Sequence, residues 1–295
     1  MTWKRLLVLC SVVAAVLGAG LALAADDNIL RVCSDPDNLP FSNQKAEGFE
    51  NKIAEAVAAD LGMTVSYYWW PHQRGLVRNT LNAGTCDVLI AIPKGWDPVL
   101  WTRPYYRSAY VLAYLPKNGR TITSLDDPSL KHLKVGTYLN SPPFDALAER
   151  GITANVTTYP LFFDPRVPDP SRRPVKLLQD LVAGEVDVAV AWGPMAGYFV
   201  KSVLGNGAPA PLTLVPLEDS GSIPMTFEFS MGVRKGNQAL KARLEEAIEH
   251  RRADITRILG EYGVPLLPLK PPRAGAAPEP STGPEPGAPS RKMQP

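Results

Sequence analysis

The sequence is poor in metal-binding residues and has no block of positive charge. Its three histidines, His72, His132 and His250, have no ligand spacing between them and do not predict a metal centre. The segment D-P-D-N from Asp35 begins like a calcium loop, but the glycine at position six and the closing glutamate of such a loop are missing. The formal net charge is only +2, and without a basic patch we do not expect nucleic-acid binding.

Cysteine is also scarce, with three in 295 residues. Cys10 follows a bulky leucine and does not fit a lipid-attachment site. Cys33 and Cys86 are the remaining two, and in an exported protein such a pair suggests a disulfide. If both lie on neighbouring parallel strands, however, their positions along the strands differ by about 10 Å, beyond the ~7 Å between Cα atoms that a disulfide tolerates. On these grounds both the bonded and the free pair stay open.

The two ends of the chain differ from its middle. Two basic residues precede an apolar run over residues 6–23, and A-L-A at 22–24 fits a signal peptidase site. We therefore interpret residues 1–25 as a cleaved signal peptide and expect an exported, soluble protein with no membrane anchor. A retained anchor is the alternative, which the small residues of the run disfavour. Residues 270–295 are rich in proline, glycine and alanine without apolar periodicity, which predicts a disordered tail.

The middle of the chain contains an internal repeat. LNAGTCDVLIA from Leu81 is answered by LVAGEVDVAVA from Leu181, and LRVCSDPDNLPF from Leu30 is answered by LKVGTYLNSPPF from Leu133. The two echoes occur in the same order and at separations of 100 (81 to 181) and 103 (30 to 133) residues. Two such echoes at nearly one spacing indicate two structurally similar halves.

Each half is predicted to alternate strands and helices. Short apolar runs such as DVLIAI suit strands buried on both faces of a parallel sheet, and GFENKIAEAVAADLG and RGLVRNTLNAG are typical of helices that end at Gly62 and Gly84. This β-α-β-α-β order predicts a doubly wound α/β unit in each half. We expect one lobe over 26–114 with a helical return over 230–269, a second lobe over 115–229, and two chain crossings that form a hinge.

Parallel α/β sheets bind ligands at the carboxyl ends of their strands, so two facing lobes predict a cleft between them. Eight residues that follow predicted strand ends are the candidates for lining it. They are Asp35, Asn38, Phe41, Lys94 and Trp96 in the first lobe, and Tyr138, Ser141 and Trp192 in the second.

Several of these candidates have an ordinary structural alternative. An Asx turn is favoured over ligand contact for Asp35, Phe41 fits a core anchor as well as a cleft wall, and Lys94 either contacts a ligand or is only solvated. Trp96 and Trp192 lie beside glycines after strand ends, and are predicted to form walls for an apolar or peptidic partner. No nucleophile–base pair or carboxylate couple follows the predicted strands, so neither an enzyme nor a cofactor is expected.

The motifs D-x-x-x-x-P-F, GFE-x-x-IAEAVAADLG, NAG-x-x-DV and RPYYRS together resemble the extracellular solute-binding proteins of the amino-acid-receptor type. The resemblance covers nearly all of the mature chain and implies a two-lobed periplasmic binding protein fold of type II. It also implies an arginine after the first NAG strand and an aspartate after the second, which hold the ligand's carboxylate and ammonium. Lys94 and Trp192 mark those loops here and neither charge is present, so a standard amino acid would lose its charge-assisted hydrogen bonds.

A closer resemblance is carried by CSDPDNLPFSNQKAEGFENKIAE, YYWWPHQRGLVRNTLNAGTCDVLIAIPKG and TRPYYRSAYV. These segments resemble the binding-protein-like component of pyrroloquinoline-quinone (PQQ) methanol dehydrogenase systems, the MoxJ/XoxJ type. This implies a monomeric periplasmic accessory whose partner is a methanol dehydrogenase, including the lanthanide-dependent kind, and it carries no catalytic residues over. The alternative is a receptor that delivers a small molecule other than a standard amino acid to an ABC importer.

Overall fold

The computed structural model describes residues 28–116, 121–163, 169–203, 205 and 212–271. The predicted signal peptide and nearly all of the predicted tail lie outside these residues. No helix in the described part of the chain is both long and apolar enough to cross a membrane.

The first lobe is built on three parallel strands. Its elements are β1 (Ile29–Ser34), a hairpin of β2 (Asp37–Asn38) and β3 (Ser42–Asn43), α1 (Phe49–Asp60), β4 (Thr64–Trp69), α2 (Leu76–Asn79) and β5 (Val88–Pro93). The strand order β4-β1-β5 is that of a doubly wound unit. Ile53 and Val57 of α1 are fully buried, and Gly62 just past the helix adopts φ +69°, which confirms this predicted helix and its stop.

The second lobe repeats this plan. Its elements are β8 (Val135–Tyr138), α3 (Pro142–Glu149), β9 (Val156–Tyr159), α4 (Lys176–Ala183), β10 (Val188–Trp192), α5 (Gly193–Tyr198), a π-helical turn (Phe199–Val203) and β11 (Thr213–Pro216), with short 3-10 turns at Pro128–Lys131 and Pro170–Arg172. The parallel order is β10-β8-β9. Gly184 adopts φ +81° at the end of α4, where the repeat predicted a helix stop.

Two long strands join the lobes. They are β7 (Tyr106–Tyr114) and β12 (Thr226–Val233), and the short β6 (Leu100–Trp101) pairs with β12. The beginning of β7 pairs with the beginning of β12, whereas the rest of β7 pairs with β10 and β11 of the second lobe. The result is a curled ten-stranded sheet with one large buried apolar cluster in each lobe, so the predicted two-lobed α/β fold is confirmed.

The chain returns to the first lobe through α6 (Gln238–His250) and α7 (Arg252–Glu261). Both helices pack on α1, and Leu244 and Ile255 are buried in its apolar cluster. The sequence predicted a single helical run here. The structure breaks it at Arg251, whose φ of −96° and ψ of 12° lie off the helical values.

The predicted helix over 74–84 is wrong in its length, because α2 is a single turn. Thr80 leaves the helical conformation (φ −123°, ψ −88°), and its hydroxyl donates to the carbonyl of Leu76 at 2.7 Å. Hydroxyl-to-backbone bonds of this kind compete with helix formation. Leu81 is nevertheless fully buried, so the apolar pattern indicated burial correctly although the backbone is not helical.

A third segment, residues 263–270, also crosses the hinge, where the sequence predicted two crossings. The hydroxyl of Ser108 donates to the carbonyl of Pro265 at 2.8 Å, and the amide of Leu267 donates to the carbonyl of Arg107 at 2.9 Å. Gly263 lies directly against Gly197 of α5, since a Cβ atom at Gly197 would approach the Gly263 carbonyl oxygen to 1.8 Å. The end of the first-lobe helices is therefore attached to both hinge and second lobe.

Cys33 and Cys86 form a disulfide with 5.5 Å between their Cα atoms. The argument from strand offset fails because β5 begins only at Val88. Cys86 lies in the turn before that strand, where strand rise does not apply. Both cysteines belong to a small apolar cluster beside the first-lobe sheet, which also includes Leu81 and Leu89.

Candidate functional site

The carboxyl ends of the parallel strands place the loops of each lobe at one edge of its sheet, where a cleft between the lobes is expected. In the first lobe these loops follow β1 and β5, and in the second lobe they follow β8 and β10. The eight predicted cleft residues all lie in or next to these loops. Their side chains nevertheless have very different surroundings.

Asp35 binds its own chain through both carboxylate oxygens. Oδ1 accepts from the amide of Asp37 at 2.9 Å, an Asx turn, and Oδ2 accepts from the amide of His72 at 2.6 Å. The residue is 9% exposed. The carboxylate thus ties the loop after β1 to the loop after β4. Asn38 lies partly buried three residues after Asp35, in β2.

Glu50, which the sequence analysis did not single out, is the buried acid of this region. It lies in the first turn of α1 and is 5% exposed. Burial, and secondarily the charge of Asp35, raises the pKa of the Glu50 carboxyl to about 8. The side chain is therefore mainly protonated at neutral pH, and this side of the cleft has one negative charge fewer than the sequence suggests.

Phe41 lies where the two lobes meet. Its ring packs edge-on to Phe49 at 5.3 Å between centroids. It also contacts the buried clusters of both lobes. Phe41 is thus neither a simple wall nor a core anchor of one lobe, since it packs between the two.

Trp192 is surrounded by aromatic rings from the hinge strands. Its ring centroid lies 5.1 Å from Tyr110, 5.9 Å from Phe227 and 5.7 Å from Phe229. Phe229 in turn stacks on Tyr106 at 4.8 Å. We call Tyr110, Trp192, Phe227 and Phe229 the hinge rings. They come from β7, β10 and β12, so the strands that join the lobes and a strand of the second lobe contribute to this aromatic group.

Two buried side-chain hydroxyls belong to the strands that join the lobes, Tyr106 on β7 and Ser230 on β12. Tyr106 is 3% exposed and Ser230 is fully buried. Within the described part of the chain neither hydroxyl oxygen has a hydrogen-bond partner. Buried polar groups are normally paired, so these two hydroxyls are exceptions to that rule.

Trp96 has a different environment from Trp192. It is partly buried against the apolar cluster around the Cys33–Cys86 disulfide, on the first lobe alone. The structure therefore separates two tryptophans that both lie at or just after a strand end beside a glycine. The hinge rings surround one of them and a single lobe surrounds the other.

The positive charge of Lys94 is neutralised by a carboxylate of the hinge. Its ammonium lies 2.9 Å from a carboxylate oxygen of Glu228 on β12. The other oxygen of Glu228 accepts from the amide of Lys270 at 2.7 Å. Lys94 consequently contributes to holding β5, β12 and the third crossing together.

Tyr138 and Ser141 are buried in the second lobe. The Tyr138 hydroxyl lies 3.3 Å from the sulfur of Met195, and burial raises its pKa well above the usual range. Ser141 is 1% exposed and donates to the carbonyl of Tyr138 at 2.6 Å. Both side chains stabilise the loop after β8 in this conformation.

An ion pair joins loops of the two lobes. Both guanidinium nitrogens of Arg173 donate to Asp37, at 2.7 Å to Oδ2 and 3.1 Å to Oδ1. The guanidinium carbon also lies 4.2 Å above the ring of Phe163. The Asp37 carboxylate raises the pKa of Arg173. The sequence contains no signal for this pair, because its members lie 136 positions apart in loops without a motif.

Comparison with known proteins agrees with this architecture. The sequence model of the bacterial extracellular solute-binding proteins, family 3, matches residues 30–264. Protein MoxJ of Methylorubrum extorquens is 33% identical over 263 residues, which cover 85% of this chain and 86% of that protein.

Two solved structures are similar along their whole length. The periplasmic binding protein XoxJ from Methylobacterium extorquens AM1 has a TM-score of 0.66 at 38% identity. MxaJ from Methlophaga aminisulfidivorans MPT has a TM-score of 0.69 at 28% identity. Each alignment covers 81% of this chain and 100% of the compared chain.

Proposed function

The chain belongs to family 3 of the bacterial extracellular solute-binding proteins and within it to the MoxJ/XoxJ type, and on that premise we propose that it is a periplasmic, non-catalytic accessory of a PQQ-dependent methanol dehydrogenase. In this proposal the cleft between the lobes binds a segment of the dehydrogenase polypeptide while that enzyme matures or is activated. The fold and the family are those of a receptor, but the contacts of the cleft differ from those that an amino acid requires.

The observation that carries the proposal is the chemistry of the hinge rings. The loop after β10 presents Trp192 among three other aromatic rings. The loop after β5 presents Lys94, whose charge is taken by Glu228. A zwitterionic amino acid needs charge-assisted hydrogen bonds at both ends, whereas aromatic side chains at the floor of a cleft suit apolar side chains of a polypeptide.

Calorimetric titration of the purified mature chain into apo and holo methanol dehydrogenase tests this function. We expect micromolar or tighter binding to at least one form, which corresponds to about 8 kcal/mol of binding free energy. Trp192→Ala should weaken binding at least tenfold, as truncation of a central aromatic side chain commonly does. Trp192→Phe keeps a ring among the hinge rings and should lose less.

Trp96→Ala is the matched control, because Trp96 also follows a strand end beside a glycine but packs on the first lobe alone. A loss of binding with Trp192→Ala and not with Trp96→Ala supports a site at the hinge rings. Equal losses of binding in the two variants would indicate that both predicted tryptophans contact the dehydrogenase. Failure of both forms of the dehydrogenase to bind the wild-type chain contradicts the accessory function.

A second candidate function is a receptor for a small molecule other than a standard amino acid. The unpaired buried hydroxyls of Tyr106 and Ser230 favour it, because buried polar groups are normally hydrogen-bonded and a polar ligand would supply the missing partners. A thermal-shift screen of small polar molecules tests it. A shift of several degrees that Tyr106→Phe abolishes, without dehydrogenase binding, would favour the receptor.

A further inference from the structure

Large apolar side chains are exposed at the mouth of the cleft. Six large apolar residues are exposed in the described part of the chain: Ile29, Leu39, Leu139, Phe162, Val182 and Leu266. Leu39, Leu139 and Phe162, with 37%, 46% and 50% exposure, all follow strands whose carboxyl ends face the cleft. Grouped exposed apolar side chains mark interaction sites, whereas single ones do not.

The backbone register brings these three loops to the same opening. Tyr138 of β8 pairs with Tyr159 of β9, so Leu139 and Phe162 leave the same edge of the second-lobe sheet. Phe163, next to Phe162, packs under the guanidinium of Arg173. Arg173 binds Asp37 of the first lobe, which is two residues from Leu39. We call Leu39, Leu139, Phe162 and Arg173 the rim.

Arg173 is prepared to bind a carboxylate from another molecule. A guanidinium that grips both oxygens of a carboxylate is a geometry that recurs in recognition, and the ring of Phe163 keeps the guanidinium in place. The side chains of Arg173 and Asp37 are 39% and 50% exposed. An ion pair so open to water contributes little stability, so an incoming carboxylate can exchange with Asp37. The neighbouring Arg172 is exposed and adds positive charge.

We propose that the rim is the docking surface for an acidic segment of the dehydrogenase that also carries apolar side chains. A carboxylate of that segment replaces Asp37 on Arg173, and its apolar side chains cover Leu39, Leu139 and Phe162. Asp37 is then an internal competitor that occupies the site until the partner arrives. This inference rests on the proposed function, and it adds the contact surface and the chemistry of the partner segment.

The experiment is a calorimetric titration with purified methanol dehydrogenase, in whichever form binds the wild-type chain. Asp37→Ala removes the competitor and should tighten binding severalfold, and Arg173→Ala should weaken it about tenfold. The double variant Asp37→Arg/Arg173→Asp keeps opposite charges across the cleft. On the second lobe it presents a negative charge to the carboxylate of the partner, so it should also bind weakly. Leu39→Ser/Phe162→Ser should weaken binding at least tenfold. Leu266→Ser is the control, since Leu266 is similarly exposed (38%) but lies on the third crossing.

The variants separate docking from a purely internal latch. If the ion pair only holds the lobes together, Asp37→Ala and Arg173→Ala should act alike and the double variant should recover wild-type binding. That pattern would overturn the docking surface. Wild-type affinity in the Arg173 and Leu39/Phe162 variants would also overturn it and leave the proposed function standing. If the dehydrogenase does not bind the wild-type chain, both the docking surface and the proposed function are contradicted.

Discussion

At the scale of single residues, Glu50 is the unusual carboxyl group, because its pKa is raised whereas the other carboxyl groups with a clear shift in the described part of the chain have lowered pKa values. Its carboxyl is enclosed in the first turn of α1, and its pKa near 8 reflects the cost of placing a charge there. The pattern G-F-E before an apolar helix shows only an acid in a first helical turn, which is normally a solvated position. The burial of Glu50 follows from the packing of the cleft loops over it.

Glu50→Gln tests this burial. The folded chain keeps a proton on Glu50 that the unfolded chain releases above pH 4.5, so wild-type stability should fall by up to about 1.4 kcal/mol per pH unit between pH 4.5 and 8. Glutamine has no such proton. We expect the variant to match wild type near pH 4 and to exceed it by roughly 4 kcal/mol at pH 8, measured by urea unfolding. Glu55→Gln, on an exposed part of the same helix, is the control, and parallel pH profiles for wild type and Glu50→Gln would contradict the prediction.

At the scale of secondary-structure elements, local pattern and long-range packing contribute differently. The apolar spacing within α1 and the glycine at position 62 were enough to predict this helix correctly. The helix α2 was predicted from a similar pattern, but Thr80 and the asparagines around it favour other backbone conformations. The burial of its apolar residues was predicted correctly although the backbone conformation was not, because burial depends on packing against the sheet.

The disulfide ties β1 to the turn before β5. It closes a loop of 53 residues, for which the chain-entropy account gives about 4 kcal/mol of stabilisation. The variant Cys33→Ser/Cys86→Ser should therefore lose roughly 2–4 kcal/mol of unfolding free energy in guanidinium titrations. Dithiothreitol should destabilise wild type and leave the double variant unchanged; equal sensitivity of both proteins would contradict the prediction.

The contact between α5 and the third crossing depends on two glycines. Gly197→Ala would place a Cβ atom 1.8 Å from the backbone oxygen of Gly263, which only backbone movement can relieve. We expect a loss of about 1–3 kcal/mol in unfolding free energy. Gly260→Ala is the control, because no atom lies within 4 Å of a Cβ there and alanine favours the helix. A variant at Gly197 as stable as wild type would show that the crossing does not pack on α5.

At the scale of the whole molecule, the connections between lobes restrict their relative motion. Two-lobed receptors commonly move about a few loop residues. Here β7, β12 and residues 263–270 all cross the hinge, and the ion pair between Arg173 and Asp37 joins the opposite side. Tyr262 adds a further link, because its ring contacts Phe49 of the first lobe and Tyr198 of the second.

Tyr262→Ala should loosen the lobes. Hydrogen exchange of the amides in α5 and residues 263–270 is expected to rise at least tenfold, since local opening costs less when a packing contact is lost. Tyr262→Phe retains both ring contacts and loses only the hydroxyl that donates to the carbonyl of Glu47, so its exchange should stay closer to wild type. Unchanged exchange in the alanine variant would show that the other connections hold the lobes without Tyr262.

The sequence by itself determined the two similar halves, the order of their strands and helices, the return of the C-terminal helices and the family. Each of these features can be predicted from a short stretch of sequence, because apolar spacing and glycine positions indicate the geometry of one element at a time. Only the tertiary structure decided which side chains meet between the lobes: Trp192 with Phe227 and Phe229, Arg173 with Asp37, and Gly197 with Gly263. It also placed Trp96 and Trp192 in different surroundings, although both lie at or just after a strand end beside a glycine. Contacts of this kind depend on how the lobes are placed relative to each other, which cannot be predicted from the periodicity within one element.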